Sequence, residues 1–322
     1  FEVSWLASPG LFTATLLLFV AEAARAVWLT RLNLHMRLEA MAAFQWGDAG
    51  LRSLAAAAVF LAPAVSSAGA LLLVAAAGLV AVMAHFVWLV RLSPGGLVPS
   101  LMTNSGAALR LRGDLLRFAA PLVPVAALSW LSSVGDRYVI AHYFGSASVG
   151  AYAAQYGILS RPFVALAQGL ETAFRQPVYV AYVGARRREW RTQVFHWVGT
   201  TLLLGGLGAA VLAFLGEPFI RWFLGAEVIV PGPFVALLVS AQALYAGGYT
   251  VLRAAMSAGA SSSAFWAELV SASIAIVAAL VLVPGFGLVG AAVATMCAYS
   301  AYLCIGTFAL IAADRSLVEE KR

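Results

Sequence analysis

Long apolar runs separated by short polar connections dominate the sequence. A helix needs about 20 apolar residues to cross the hydrocarbon core of a bilayer, and it satisfies its own backbone hydrogen bonds there. About nine runs reach this length, near 9–29, 40–63, 68–90, 116–141, 148–175, 193–215, 232–257, 263–283 and 288–312. The pattern therefore predicts an all-α polytopic membrane protein with about nine transmembrane helices.

Arginines are concentrated in alternate connections. The odd-numbered connections hold Arg31 and Arg37, then a group from Arg91 to Arg117, then the segment RRREWR at 186–191, whereas the even-numbered ones contribute only Arg221. Because cytoplasmic loops retain Lys and Arg, we expect the odd connections and the C-terminus to be cytoplasmic. RRREWR is interpreted as a topology anchor, with contact to anionic lipid headgroups as the alternative.

The composition agrees with a membrane protein and excludes an ordinary soluble domain. The chain has 62% hydrophobic and 11% charged residues and a mean hydropathy of +0.91, whereas soluble domains carry about 25% charge. The pI of about 9.6 is explained by basic loops, so no nucleic-acid partner is expected.

Cys297 and Cys304 lie about 10 Å apart along one helix, too far for a disulfide, and are interpreted as packing residues. The histidines are scattered, and we expect no metal or cofactor.

Ionisable residues inside the predicted spans are the main candidates for function. Each costs at least about 2.5–3.5 kcal/mol at a helix centre unless it is paired or hydrated. Either they form local salt bridges or extend to a nearby membrane surface, or they line a hydrated cavity. The candidates for substrate binding are Arg25, Arg52, Arg137, Arg161, Arg175 and Arg253. The candidates for coupling or charge balance are Glu22, Asp48, Asp136, Glu171 and Glu268.

Arginine is slightly in excess over carboxylate in this set, and its planar, permanently charged fork suits phosphate and carboxylate groups. The excess favours an anionic substrate.

The segment GFGLVG at 285–290 matches the dinucleotide fingerprint, but the apolar run before it is too long for a strand. We interpret it as a turn between two close-packed helices. No nucleophile with a base, no catalytic carboxylate pair and no phosphate-binding loop is evident, so we expect no catalytic residues and no enzyme.

Two stretches resemble one transporter family. Residues 117–158 resemble the start of the second half of polysaccharide and O-antigen flippases, which transport lipid-linked oligosaccharides and are related to the MATE drug exporters. The matching positions are Pro121, Asp136, Arg137, Gly145, Val149, Gly150, Tyr152 and Ala153. Residues 284–303 resemble the last-helix signature of the same family through Gly287, Gly290, Ala291 and Ala292.

The resemblance implies a MATE-like architecture of two six-helix bundles with both termini cytoplasmic. Residues 1–92 would be the last three helices of the N-terminal bundle and 93–115 the cytoplasmic linker between the bundles. Residues 116–313 would be the six-helix C-terminal bundle and 314–322 a cytoplasmic tail. The chain would then be N-terminally incomplete. Three further upstream helices would also place the start of the first span correctly in the charge-based topology.

The function implied by the resemblance is flipping of an undecaprenyl-pyrophosphate-linked oligosaccharide across the bacterial cytoplasmic (inner) membrane. The unit would belong to O-antigen, capsule or exopolysaccharide, and the mechanism would be alternating access. Expected partners are this lipid-linked substrate, membrane lipids and polysaccharide polymerase or export machinery.

Three alternatives remain at this point. A MATE-type multidrug or cation antiporter would favour a carboxylate-dominated cavity. A membrane-embedded glycan-assembly enzyme would need a large extracytoplasmic loop, whereas the longest outer connection, 216–231, offers only Glu217 and Glu227. A channel or scaffold has no positive signal in the sequence.

Overall fold

The structure is a computed structural model, and it describes residues 10, 13–14, 16–22, 25, 44, 47–52, 54–55, 57–58, 67–92, 120–225 and 232–319. These residues are almost entirely helical and include no strand. The predicted all-α class is confirmed. The linker predicted at 93–115 and the loop arginines Arg31, Arg37 and Arg110 lie outside the described residues.

The chain divides into two compact units, Phe1–Thr103 and Asn104–Arg322. In the first unit, α1 spans Ser67–Leu92 and is apolar along its length, as the third run predicts. The described residues before it are helical as well, including 47–52, where Asp48 and Arg52 interrupt the second apolar run. The boundary between the units falls inside the stretch predicted as a linker.

The second unit consists of long helices. After a 3-10 turn at Ala120–Leu122 come α2 (Val123–Val183), α3 (Arg187–Leu224), α4 (Phe234–Ser257) and α5 (Ser261–Glu319). Two of these are pairs of helices joined by a glycine with non-helical backbone angles, Gly145 in α2 and Gly287 in α5. Both glycines have positive φ, a conformation that side chains with a Cβ rarely adopt. The described residues of this unit therefore form six helical segments besides the 3-10 turn.

The GFGLVG segment is one of these two kinks. Gly287 has φ of 58°, and a Cβ built on Gly290 would lie 2.4 Å from the carbonyl oxygen of Leu282. Only glycine permits such a close approach of the two helical segments. Because the segment joins helix to helix with no strand before it, the described residues here do not form a dinucleotide site.

The second unit has a mixed interior and an apolar exterior. Its core contains Tyr152, Phe163, Phe234 and Leu238, whereas large apolar side chains such as Phe214 face outward. An apolar exterior is what lipid requires. Cys297 and Cys304 are also exposed, so the structure does not show them as the packing residues that the sequence suggested.

Three described helices are long and apolar enough to cross a bilayer, judged by length and composition: Arg187–Leu224, Phe234–Ser257 and Ser261–Arg315. The last contains the kink at Gly287 and thus both the eighth and ninth predicted spans. The fourth and fifth predicted spans correspond to α2, which is not among these three helices. It carries five of the candidate charges: Asp136, Arg137, Arg161, Glu171 and Arg175.

Candidate functional site

The eleven candidate charges fall into separate groups in the two units. In the first unit, Glu22, Arg25, Asp48 and Arg52 form one ion-pair network, which we call the ion quartet. Nε of Arg25 lies 2.7 Å from one oxygen of Asp48, and Nε of Arg52 lies 2.9 Å from the other. Glu22 pairs with Arg52 and lies 3.6 Å from Nη1 of Arg25. The i,i+3 and i,i+4 spacings are evident in the sequence, and the structure adds cross-links between distant segments.

The quartet is electrically neutral, with two arginines and two carboxylates. The Asp48 side chain is only 2% exposed, and it accepts hydrogen bonds from both arginines. A Cβ built on Gly78 would lie 2.8 Å from Nη2 of Arg52, so this glycine of α1 lets the guanidinium approach its backbone. All four charges are therefore mutually compensated within the first unit.

The second unit contains a partly open polar cavity of about 310 Å³, which we call the polar chamber. Arginine, glutamate, serine, glutamine and tyrosine side chains line most of it. The lining includes Ser129, Ser132, Ser133, Arg137, Tyr156, Ser160, Arg161, Gln242, Tyr245, Glu268, Ser271, Tyr299 and Tyr302. Residues far apart in sequence, on α2, α4 and α5, thus face one space.

Arg137 lies against a tyrosine ring in the polar chamber. Its guanidinium lies over the ring of Tyr156, 5.6 Å from the ring centre, and Nε is buried without a hydrogen-bond partner among the described residues. The Tyr156 hydroxyl is 2.9 Å from that of Tyr299. Next to Arg137 along the chain, Asp136 is 7% exposed and accepts a hydrogen bond from Tyr152. Arg137, Tyr156 and Tyr299 thus line one part of the chamber.

A second cavity of about 310 Å³ shares Ser129, Tyr245, Glu268 and Tyr302 with the first, and we call it the mixed chamber. It adds Tyr249 and Arg253 on one side. An apolar wall completes it, formed by Leu122, Val125, Leu252, Met256 and Ala264. The two chambers together therefore offer a cationic polar end and an apolar end.

Glu171 connects several candidates at the edge of the mixed chamber. Its carboxylate accepts a 2.5 Å hydrogen bond from the Tyr249 hydroxyl. Nε of Arg253 and Nη1 of Arg175 each lie 3.8 Å from the same carboxylate oxygen of Glu171. The Arg253 guanidinium also lies over the Tyr249 ring, 5.0 Å from its centre. Two arginines on one carboxylate leave one positive charge uncompensated.

Glu268 stands between the two chambers. It is 7% exposed, belongs to the lining of both, and lies beside Tyr302 and within electrostatic range of Arg253. Among the described carboxylates, none forms an ion pair with Arg137 or Arg161. The polar chamber is thus lined by two arginines and one glutamate, so positive charge is in excess there.

No group of three described His, Cys, Asp or Glu side chains could hold a metal ion.

Sequence reasoning missed the tyrosines. Tyr156, Tyr245, Tyr249, Tyr299 and Tyr302 line the chambers, and ring contacts join Tyr245 to Tyr249, Tyr299 and Tyr302. The spacing of the tyrosines could have indicated this cluster, because residues three or four apart lie on the same face of a helix. Three such pairs occur in apolar runs: 152 with 156, 245 with 249, and 299 with 302.

Comparison with known proteins identifies the fold. No protein-family model matches the sequence, and the comparison with curated proteins gives no match. Among solved structures, a MATE transporter in a bent conformation matches 88% of this chain and 63% of its own length, with TM-score 0.70 and 12% identity. A point mutant of a MATE transporter matches 87% of this chain and 62% of its own length, with TM-score 0.69 and 12% identity.

A third structure is an outward-facing multidrug resistance MATE family transporter of the MOP superfamily. It matches 60% of this chain and 43% of its own length, with TM-score 0.52 and 20% identity. The chain thus spans less than two thirds of the length of each of these structures. The protein is an all-α polytopic membrane protein with the fold of the MATE transporters of the MOP superfamily.

Proposed function

We propose that the protein is a transporter that moves an anionic, lipid-linked oligosaccharide across a membrane. The observation that carries the proposal is the polar chamber, where Arg137 and Arg161 face the same space as a single carboxylate, Glu268. Every undecaprenyl-pyrophosphate-linked glycan carries a negatively charged pyrophosphate, whichever sugars are attached. Arginine binds phosphate oxygens through paired N–H groups, so two arginines in one cavity suit this group.

The rest of the lining fits the other parts of such a substrate. Serine and tyrosine hydroxyls both donate and accept hydrogen bonds, as sugar hydroxyls do. The hydroxyl groups that line the chamber include those of Ser132, Ser160, Ser271 and Tyr299. The apolar wall of the mixed chamber, with Leu252 and Met256, would contact the first isoprenoid units of the lipid.

The remaining candidates have different proposed roles. Glu171 and Glu268 would balance the cavity charge or take up protons during the cycle, and Asp136 would hold Tyr152 behind Arg137. Arg175 and Arg253 share Glu171 and would contact substrate only at the edge of the mixed chamber. We propose that the ion quartet stabilises the first unit, since its charges are already paired.

The proposed mechanism is alternating access, in which the site opens to one side of the membrane at a time. The proposed location is the bacterial cytoplasmic (inner) membrane with the C-terminus in the cytoplasm. This orientation rests on the arginine distribution along the chain. The proposed partners are polysaccharide polymerase and export machinery, because a flipped glycan unit must be polymerised or exported next.

A MATE-type multidrug or cation antiporter is the second candidate. Its support is the pair of carboxylates Glu171 and Glu268 together with the tyrosine rings, because an organic cation binds to both. Against it stands the excess of arginine in the same cavities. The two proposals therefore differ in the sign of the charge that the transported molecule carries.

A reconstitution experiment separates the two candidates. The full-length protein would be placed in liposomes with a fluorescent undecaprenyl-pyrophosphate oligosaccharide, and transfer between leaflets would be followed by quenching of the exposed leaflet. We expect protein-dependent transfer of this lipid and no gradient-driven uptake of an organic cation dye. Dye uptake without lipid transfer would overturn the proposal in favour of the antiporter.

A further inference from the structure

An apolar groove runs along the outside of the second unit between α3 and the end of α5. It has a volume of about 290 Å³ and is lined by Trp190, Val194, Phe195, Val198, Leu310 and Ile311, with Arg191 and Asp314 at one end. Arg191 to Val198 is seven residues of helix, so the groove extends about 10 Å away from the charged end. Phe195 is 73% exposed beside it.

The charged end of the groove is built around Asp314. Nε of Arg187 lies 3.1 Å and Nε of Arg191 lies 2.6 Å from the same carboxylate oxygen. Arg191 and Arg187 both donate hydrogen bonds to this carboxylate, which fixes the two arginines at the mouth of the groove. Two cations on one anion leave a net positive charge there.

Two more arginines extend this positive surface. Arg188 lies three residues before Arg191, and Arg315 lies four residues after Ile311, so each continues the helix face that lines the groove. Both are exposed, and neither forms an ion pair with a carboxylate in the part of the chain that the structure describes. Arg186 is compensated by Glu189 at 2.7 Å. The five arginines and two carboxylates of this surface leave a net charge of +3.

We propose that this groove binds an anionic phospholipid. One acyl chain lies in the apolar groove against Val194, Val198 and Leu310, and the headgroup phosphate contacts Arg188 and Arg315. The apolar groove matches the acyl chain, and the arginines at its end match the phosphate. The two parts follow one another in the same order as in a phospholipid. Basic residues near a membrane surface each strengthen binding to anionic lipid, and an apolar groove beside them retains a chain that a charged surface alone does not retain.

Native mass spectrometry of the full-length protein in detergent tests the proposal. The probes are dioleoylphosphatidylglycerol and dioleoylphosphatidylcholine, added separately at equal concentration. We expect one phosphatidylglycerol to be retained with higher affinity than phosphatidylcholine. Arg188→Gln should weaken phosphatidylglycerol binding about fivefold, and the double change with Arg315→Gln should weaken it further by a similar factor.

Matched variants separate the groove from general surface charge. Val198→Trp fills the groove and should abolish retention of the tightly bound lipid, whereas Val211→Trp, at an exposed position on the same helix, should not. Arg221→Gln, at the opposite end of α3, should also leave binding unchanged. Equal retention of both lipids, or unchanged phosphatidylglycerol binding in Val198→Trp, would overturn the proposal. So would a dimer that Val198→Trp dissociates, because the groove would then be occupied by a second copy.

Discussion

Replacing Arg137 with glutamine is expected to reduce transport of the pyrophosphate-linked glycan by about a hundredfold. A hydrogen bond to a charged group contributes about 1.5–3 kcal/mol, and the paired contact of a guanidinium with phosphate contributes more than one such bond. Arg137 forms no ion pair with a described carboxylate and glutamine keeps a polar side chain at this position, so we expect the variant to fold. Initial transfer rates in proteoliposomes, normalised to protein content, measure the effect.

The control for this change is Arg221→Gln. Arg221 is exposed at the end of α3 and pairs with Glu217 at 3.0 Å, so the same loss of charge occurs far from the chambers. Its transfer rate should equal that of the wild-type protein. A wild-type rate for Arg137→Gln would remove Arg137 from the site and with it the main support for an anionic substrate.

Replacing Asp48 with asparagine is expected to destabilise the first unit by about 1.5–3 kcal/mol, the contribution of a hydrogen bond to a charged group. Asp48 is almost fully buried and accepts hydrogen bonds from both Arg25 and Arg52. The neutral amide leaves the single charge of Glu22 to compensate two partly exposed guanidinium groups. Thermal unfolding in detergent, followed by circular dichroism, should show a lower melting temperature.

The matched control is Glu217→Gln, which removes an exposed acid from a surface pair and should cost less than about 1 kcal/mol. The substrate affinity of the folded fraction should be unchanged in Asp48→Asn if the quartet is structural. A stable variant with weakened substrate binding would instead place the quartet in the transport site, as the sequence-based hypothesis had it.

The hydrophobic pattern was sufficient to predict the helical class, because crossing a bilayer requires long apolar helices whatever their arrangement. The pattern placed the start of α4 and the third span within two residues, since polar connections bound them sharply. It underestimated α3, which extends from Arg187 to Leu224. Helices continue past the apolar core when their ends carry arginine and tryptophan, which the interface accepts.

The site was only partly predictable. Short-range pairs such as Asp48 with Arg52 follow from helical spacing. The approach of Arg253 to Glu171 and the position of Glu268 between the chambers depend on how α2, α4 and α5 pack, which no local pattern encodes. The tyrosines were overlooked because they carry no charge at neutral pH, although their spacing already put them on shared helix faces.

Accessibility of single cysteines tests the central claim most directly, namely that the charges of the second unit face a water-filled chamber. Cys297 and Cys304 would be replaced by serine, and Ser132→Cys in the polar chamber compared with Val277→Cys, which is 61% exposed on the outer apolar face. A membrane-impermeant methanethiosulfonate should label Ser132→Cys and not Val277→Cys in the reconstituted protein, and pyrophosphate should slow the labelling. Labelling of Val277→Cys with an inert Ser132→Cys would contradict the account.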